Sequence, residues 1–199
     1  MCKLIAVTNR KLCRGDFLGQ IKILAEAGVD SIVLREKDLG EEEYESLAIK
    51  VLDICREYKT ECLLHQNIGI ARKLGQAGIH LSLPAAQKNK DILRGFKVVG
   101  ISTHSLEQVQ EAEKCNASYV FFGHVFPTDC KKGVPPRGLH FLEEICHNAS
   151  VPVYAIGGIT PQNAEQAVRA GVAGVCVMSW GMQEDRSQIQ SFVAACHRM

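Results

Sequence analysis

The chain alternates between short, almost wholly apolar segments and longer segments in which apolar residues recur every three or four positions. Short apolar segments of this kind are typical of strands that are buried on both faces of a parallel sheet. Eight of them occur, at Leu4–Thr8, Ser31–Arg35, Glu61–His65, Gly78–Leu81, Lys97–Ser102, Ser118–Gly123, Val153–Ile156 and Gly174–Met178. The pattern therefore predicts eight strands spread along the whole chain.

The intervening segments predict helices. Between Glu41 and Tyr58 the apolar residues share one helical face, as a helix packed on a sheet requires. The same periodicity predicts helices at Phe17–Ala27, Ile68–Gln76, Leu106–Cys115, Gly138–His147, Pro161–Ala170 and Ser187–His197, whereas Ala85–Leu93 has only a weak helical pattern.

Eight strand–helix units in 199 residues predict an α/β protein with one domain over residues 1–199, a (β/α)8 TIM barrel. An open, doubly wound sheet is the alternative. Such a sheet typically has a GxGxxG turn after its first strand. The segment from Thr8 to Gly15 reads TNRKLCRG and has no such turn.

Composition limits the binding partners and the cellular compartment that the sequence predicts. The net charge is +1, and no basic run favours nucleic acid as a partner. No apolar stretch is long enough to span a bilayer, and the N-terminus has no cleavage-site pattern. The nine cysteines are scattered without a CxxC pair, which predicts reduced thiols in a cytoplasmic protein. The oligomeric state stays open, a homo-oligomer included.

In a TIM barrel the functional residues follow the strands at their carboxyl ends. After the second strand, Arg35 and Lys37 are candidates for holding an anion, although a solvated charge cluster is the alternative. After the seventh and eighth strands, Gly157-Gly158 and Ser179-Trp180 are the places where barrels often bind phosphate through backbone amides. A plain tight turn is the alternative at the glycines.

Histidines occur in or after four of the predicted strands, at His65, His80, His104 and His124. His80 lies inside the fourth strand and is predicted to be structural. After the fifth strand, Ser105 is predicted to cap the next helix, whereas contact between His104 and a ligand stays open.

The most informative histidine is His124, which follows the apolar run Tyr119–Phe122. The loop after it contains a hydroxyl, a thiol and lysines, at Thr128, Cys130 and Lys131. An imidazole can move protons near neutral pH, and lysines with loop amides can hold an anion. The segment therefore predicts an acid/base residue beside an anion site, with a backbone-bonded structural histidine as the alternative.

These motifs together resemble the thiamine phosphate synthase and TenI family along essentially the whole chain. The motifs that carry the resemblance are Leu34-Arg-Glu-Lys-Asp38, Gly78-Ile-His-Leu81, Gly100-Ile-Ser-Thr-His-Ser105, Phe122-Gly-His-Val-Phe-Pro-Thr128, Ala155-Ile-Gly-Gly-Ile159 and Gly174-Val-Cys-Val-Met-Ser179. The resemblance implies a (β/α)8 barrel and a phosphorylated thiazole as the small-molecule ligand.

Two branches of that family differ in chemistry. The synthase joins a pyrimidine pyrophosphate to thiazole phosphate and needs Mg²⁺, held by carboxylates in an Asn-Asp-Arg motif after strand three and an Asp after strand four. This chain has His65-Gln66-Asn67 and Pro84-Ala85 there, and Val33 replaces the glutamine of strand two. In the synthase a proline usually stands at the position of His124.

The TenI branch carries Gly-His-Val-Phe-Pro-Thr, as this chain does. It is similar to a thiazole tautomerase, an isomerase that shifts a proton to make the aromatic carboxythiazole phosphate, without a cofactor or metal. His124 is then the catalytic residue, Arg35, Lys37, Ser102, Thr128 and Lys131 bind substrate, and Gly157, Gly158, Ser179 and Trp180 bind its phosphate. A synthase that requires Mg²⁺ and a non-catalytic, TenI-like regulatory binder remain as alternatives.

Overall fold

The chain folds as a closed barrel of eight parallel strands, and the computed structural model describes all 199 residues. Each strand pairs with the next one along the chain, and the last pairs with the first. The strands are β1 (Lys3–Val7), β2 (Ser31–Leu34), β3 (Glu61–His65), β4 (Gly78–Ser82), β5 (Val98–Thr103), β6 (Tyr119–Gly123), β7 (Val153–Ile156) and β8 (Gly174–Val177). The predicted (β/α)8 barrel is confirmed.

Ten helices surround or cap the barrel. They are α1 (Phe17–Glu26), α2 (Glu41–Glu57), α3 (Ile68–Lys73), α4 (Leu83–Lys88), α5 (Lys90–Leu93), α6 (Leu106–Lys114), α7 (Gly138–Asn148), α8 (Ala164–Arg169), α9 (Ser179–Gln183) and α10 (Arg186–Arg198). Two single-turn 3-10 helices lie at Arg10–Leu12 and Asp129–Lys131. Each predicted helix is present within a few residues of its expected bounds.

Three local differences have identifiable causes. The weak pattern before β5 contains two short helices, α4 and α5, rather than one. Helix α8 begins at Ala164 instead of Pro161, because the Asn163 side chain accepts a hydrogen bond from the Thr160 amide and holds a turn there. Helix α9 directly follows β8 and is too short to give a periodic signal. The predicted cap is confirmed, since Ser105 accepts a hydrogen bond from the Gln108 amide.

Side chains of each strand alternate between the barrel interior and the helical layer. In β1, Ile5 and Val7 point inward, whereas Leu4 and Ala6 pack against the helices. The rings of Tyr119 and Tyr154 meet edge to face in the interior with centroids 5.3 Å apart. These rings pack in the barrel interior, and the cavity described below lies at the carboxyl ends of the strands.

Two features of the structure relate to composition: the state of the cysteine thiols and the length and apolarity of the helices. All nine cysteines are free thiols in the structure. None of the helices has the length and apolarity needed to cross a membrane.

Candidate active site

A cavity of about 760 Å³ opens at the carboxyl ends of the barrel strands. Its walls come from the carboxyl ends of the strands and from the segments that follow them, including Leu12 after β1. Every residue predicted to catalyse or to bind substrate lines this one cavity: Arg35, Lys37, Ser102, His124, Thr128, Lys131, Gly157, Gly158, Ser179 and Trp180. The structure thus brings together residues from five different strand ends.

The cavity has a marked excess of positive charge. Arg35, Lys37 and Lys131 line it, and Asp129 is the single acidic residue among its lining residues. The pKa of Lys37 is lowered by burial and, to a smaller extent, by the positive charges of Arg35 and Lys131. All three cations line the same cavity, and an anionic ligand would relieve their mutual repulsion.

The loop after β2 separates its charges by sign. Arg35 and Lys37 line the cavity, whereas Glu36 and Asp38 turn toward the β1 loop. Asp38 forms a two-pronged ion pair with Arg10, which together with Lys11 holds the pKa of the Asp38 carboxyl well below its usual range. A solvated charge cluster is therefore the wrong description of this segment.

Glu36 is the buried anchor of that loop, with a side chain only 1% exposed. Its carboxylate accepts hydrogen bonds from the Thr8 hydroxyl at 2.7 Å and from the Arg10 amide at 3.1 Å. The Thr8 hydroxyl in turn accepts a hydrogen bond from the Arg35 amide at 2.9 Å. Glu36 thereby fixes the backbone from which Arg35 and Lys37 reach the cavity.

Replacing Glu36 by alanine should lower the free energy of unfolding by about 3 kcal/mol, because several buried donors lose a charged acceptor. Urea denaturation of the purified variant measures this loss. Glu42→Ala, at an exposed position in the first turn of α2, serves as the control and should change stability by less than about 0.5 kcal/mol. Equal stability of the two variants would show that Glu36 is not an anchor.

His124 directly follows β6, and only 7% of its surface is exposed. Its Nε2 lies 3.1 Å from the carbonyl oxygen of Val134. Since a carbonyl can only accept, Nε2–H donates this bond, and Nδ1 of the neutral ring carries the free lone pair. One nitrogen of His124 is thus bonded to the backbone while the residue lines the cavity, and its role as an acid/base residue stays a prediction.

The loop after His124 folds back onto the strand end that it leaves. The Arg137 amide donates to the His124 carbonyl at 2.9 Å, and the Gly138 amide donates to the Val125 carbonyl at 3.1 Å. At its far end this loop supplies the Val134 carbonyl, and nearer to β6 it supplies Lys131. One segment therefore orients the histidine and adds a cation to the same cavity.

The other two histidines considered from the sequence have partners within the chain. His80 bonds the Tyr119 hydroxyl through Nδ1 at 3.0 Å and the Ser102 hydroxyl through Nε2 at 2.9 Å, which confirms its structural role. Burial lowers the pKa of His80 well below its ordinary value. Ser102 thus lines the cavity while it is held by a buried, neutral histidine. His104 donates from Nδ1 to the Gly123 carbonyl at 2.6 Å and also lines the cavity.

The loops after the neighbouring strands β7 and β8 both line the cavity. Gly157 and Gly158 have φ angles of +96° and +67°. The Gly158 amide makes no hydrogen bond within the chain. Ser179 and Trp180 are the first residues of α9, where helical amides lack partners from the preceding turn. The arrangement is suited to holding a phosphate, and the sequence prediction of these residues remains a prediction.

Several lining residues escape prediction from the sequence. Among them are His65, Gln66, Met178 and Gln183. His65 and Gln66 lie at the end of β3. At this position the synthase motif is recognised by its carboxylate, so only the presence or absence of a carboxylate is considered there. A histidine at the end of a predicted strand is the signal that could have identified His65.

The donor set at this end of the barrel does not fit Mg²⁺, the ion that the synthase chemistry would require. Mg²⁺ is held by oxygen ligands, usually with one or two carboxylates. The ends of β3 and β4 supply His65, Gln66 and Ser82 to the cavity, and none of these is a carboxylate. Nowhere in the chain do three or more His, Cys, Asp or Glu side chains form a group that could hold a metal ion.

Residues 4–180 match the sequence profile of a family described as thiamine monophosphate synthase. "Thiamine-phosphate synthase 2" of Streptococcus pneumoniae serotype 4 (strain ATCC BAA-334 / TIGR4) is 31% identical over 99% of this chain and 96% of that protein. The thiamine-phosphate synthase of Clostridium novyi (strain NT) is 33% identical over 94% of this chain and 93% of its own length.

Solved structures agree with the sequence matches. The thiamine phosphate pyrophosphorylase from Pyrococcus furiosus superposes with a TM-score of 0.85 at 28% identity, over 98% of this chain and 96% of that one. A thiamine phosphate pyrophosphorylase from Bacteroides thetaiotaomicron, at 19% identity and a TM-score of 0.64, shares the fold. The similarity in fold therefore extends over the full barrel.

Proposed function

Since the chain belongs to the thiamine monophosphate synthase family, a family of thiamine biosynthesis, we propose that it acts as a thiazole tautomerase. The observation that carries the proposal is His124, which lines a cationic cavity with Nδ1 free of any partner in the chain. Its reaction would convert the carboxythiazole phosphate tautomer into the aromatic isomer.

The chemistry needs one proton to leave a carbon atom and one to reach another. Nδ1 of the neutral His124 ring takes the first proton, while Nε2–H keeps its bond to the Val134 carbonyl. The electron pair that is left on the ring carbon delocalises through the heterocycle, and the imidazolium returns a proton at a second carbon. The atoms of substrate and product are the same, there is no net redox change, and aromatisation drives the reaction forward.

Binding is divided between two regions of the cavity. The amides after β7 and at the start of α9 hold the phosphate, as anions are held at helix N-termini and glycine turns. Arg35, Lys37 and Lys131 hold the remaining negative charge, and Ser102 and Thr128 line the space between. A ligand fixed at both ends places its ring against His124, which supplies the positioning part of catalysis.

The second candidate is thiamine phosphate synthase, a transferase, and the names of the relatives favour it. That reaction expels pyrophosphate and relies on Mg²⁺. The strand ends of this chain lack carboxylates that would hold the ion. No step through Mg²⁺ is therefore assigned to these residues.

Two assays on the same preparation separate the candidates. In the first, the enzymatically released thiazole tautomer is added, and formation of the aromatic carboxythiazole phosphate is followed by chromatography. We expect a rate far above the rate without protein. In the second, the pyrimidine pyrophosphate, thiazole phosphate and Mg²⁺ are added, and we expect no thiamine phosphate above background. Robust coupling in the second assay would overturn the proposal, and ligand binding without turnover in either assay would favour a regulatory binder.

A further inference from the structure

One polar side chain of the cavity has no partner within the chain. His65 is the last residue of β3 and is only 7% exposed. Its amide donates to the Tyr44 hydroxyl at 3.0 Å, but neither ring nitrogen makes a hydrogen bond. The other three histidines of the cavity each have at least one such bond. Every side-chain nitrogen or oxygen that is inaccessible to solvent has a hydrogen-bond partner. The unpaired nitrogens of His65 are therefore accessible, and they open into the cavity that the residue lines.

A buried polar group without a partner costs stability, and such groups in native proteins are usually satisfied. The His65 ring is nevertheless held firmly. It stacks on the His80 ring with centroids 6.0 Å apart, and Tyr44 links its backbone to β2 through a bond to the Leu34 carbonyl. A rigid imidazole that faces the cavity with both nitrogens free is suited to bind a ligand.

The surroundings define the ligand group. Burial, followed by the positive charges of Arg35 and Lys37, lowers the pKa of His65 to about 3. The ring is therefore neutral at physiological pH and offers one N–H donor and one acceptor. A donor beside two cations is complementary to an anionic oxygen.

The barrel topology indicates which anionic oxygen it is. In a closed barrel of eight strands, β3 lies opposite β7, whose loop contains Gly157 and Gly158. A ligand whose phosphate lies at the β7 loop therefore presents its other end to β3. In a carboxythiazole phosphate that other end carries the carboxylate.

We propose that His65 donates a hydrogen bond to the substrate carboxylate held by Arg35 and Lys37, and so selects the carboxylated thiazole phosphate. The assignment rests on the proposed function for the identity of the ligand. His65 binds substrate and takes no part in the proton shift.

Two probes that differ only in the carboxylate test the proposal: carboxythiazole phosphate and the same thiazole phosphate without the carboxyl group. Calorimetry measures their affinities for wild type, for H65A and H65F, and for H65Q, which keeps an N–H donor. H65A and H65F should bind the carboxylated probe about tenfold more weakly, the expected size for one charge-assisted hydrogen bond. They should bind the other probe within about twofold of wild type, and H65Q should recover part of the loss.

The control variant is H140A, which removes an exposed histidine from α7 and should leave both affinities unchanged. Equal loss for both probes, unchanged affinity in H65A and H65F, or failure of the wild-type protein to bind the carboxylated probe would each overturn the proposal. Turnover is measured separately. Selective binding without isomerisation would refute the tautomerase function and leave the role of His65 intact.

Discussion

Replacing His124 by alanine should slow tautomerisation by about 10³-fold, the range expected when a positioned acid/base residue is lost. The physical reason is that Nδ1 of His124 is the acid/base group of the proposed mechanism, and two of the other three cavity histidines are poorly suited to replace it. His80 has both nitrogens bonded within the chain, and His65 is held neutral beside Arg35 and Lys37. Rates are measured by following aromatic product from the released tautomer. The affinity for carboxythiazole phosphate, measured in parallel, should remain within about threefold of wild type.

A second substitution separates proton transfer from positioning. In H124Q the side-chain amide can still donate to the Val134 carbonyl, which preserves the contact between strand end and loop. Glutamine has no basic nitrogen and cannot carry the proton, so its rate should be as low as that of H124A. Normal turnover in either variant would refute the role of His124. Recovery in H124Q alone would make His124 a positioning residue.

Gly157→Ala should reduce stability by about 3 kcal/mol and also reduce turnover. A Cβ at this position would lie 2.2 Å from the Cβ of His124 and 2.6 Å from its Cα. The backbone has a φ of +96°, which an alanine adopts only with strain. Relief of the clash requires the ends of β6 and β7 to separate, and His124 moves with them. Denaturant titration measures the first effect, and the tautomerase assay measures the second.

Gly75→Ala is the matched control, because Gly75 has a φ of +65° and a Cβ there would meet nothing within 4 Å. It carries the conformational penalty without the clash and should cost about 1 kcal/mol. Its turnover should equal that of wild type, since Gly75 does not line the cavity. If the free energy of unfolding falls equally in the two alanine variants, the close packing of Gly157 against His124 is not the reason that a glycine is required there.

The fold could be predicted from the sequence because its signals are local. Runs such as Ile32-Val33-Leu34 and Val120-Phe121-Phe122 are buried on both sides, which identifies them as strands of a covered parallel sheet. The main failures are short elements. Helix α9 has only five residues, and α4 and α5 are interrupted at Asn89, so periodicity has too few turns to show them.

The candidate site could be predicted where a residue's type and its place after a strand were enough. His124, Arg35 and the paired glycines were found in this way, and all line the cavity. The partners of each residue could not be predicted. Glu36 lies between Arg35 and Lys37 in the sequence, yet it is buried against Thr8 and Arg10 from another loop. Contacts between residues that are 26 to 28 positions apart depend on how two loops meet in space.

The sequence by itself therefore determined the barrel, the cationic character of its open end and the identity of the candidate proton carrier. These properties follow from local patterning and from the rule that parallel strands bring their carboxyl ends together. Only the tertiary structure decided two points. Nε2 of His124 bonds the Val134 carbonyl, so Nδ1 stays free, and both ring nitrogens of His65 are unpaired. Hydrogen-bond satisfaction is a property of the assembled neighbourhood, in which distant segments either supply a partner or leave the group to a ligand.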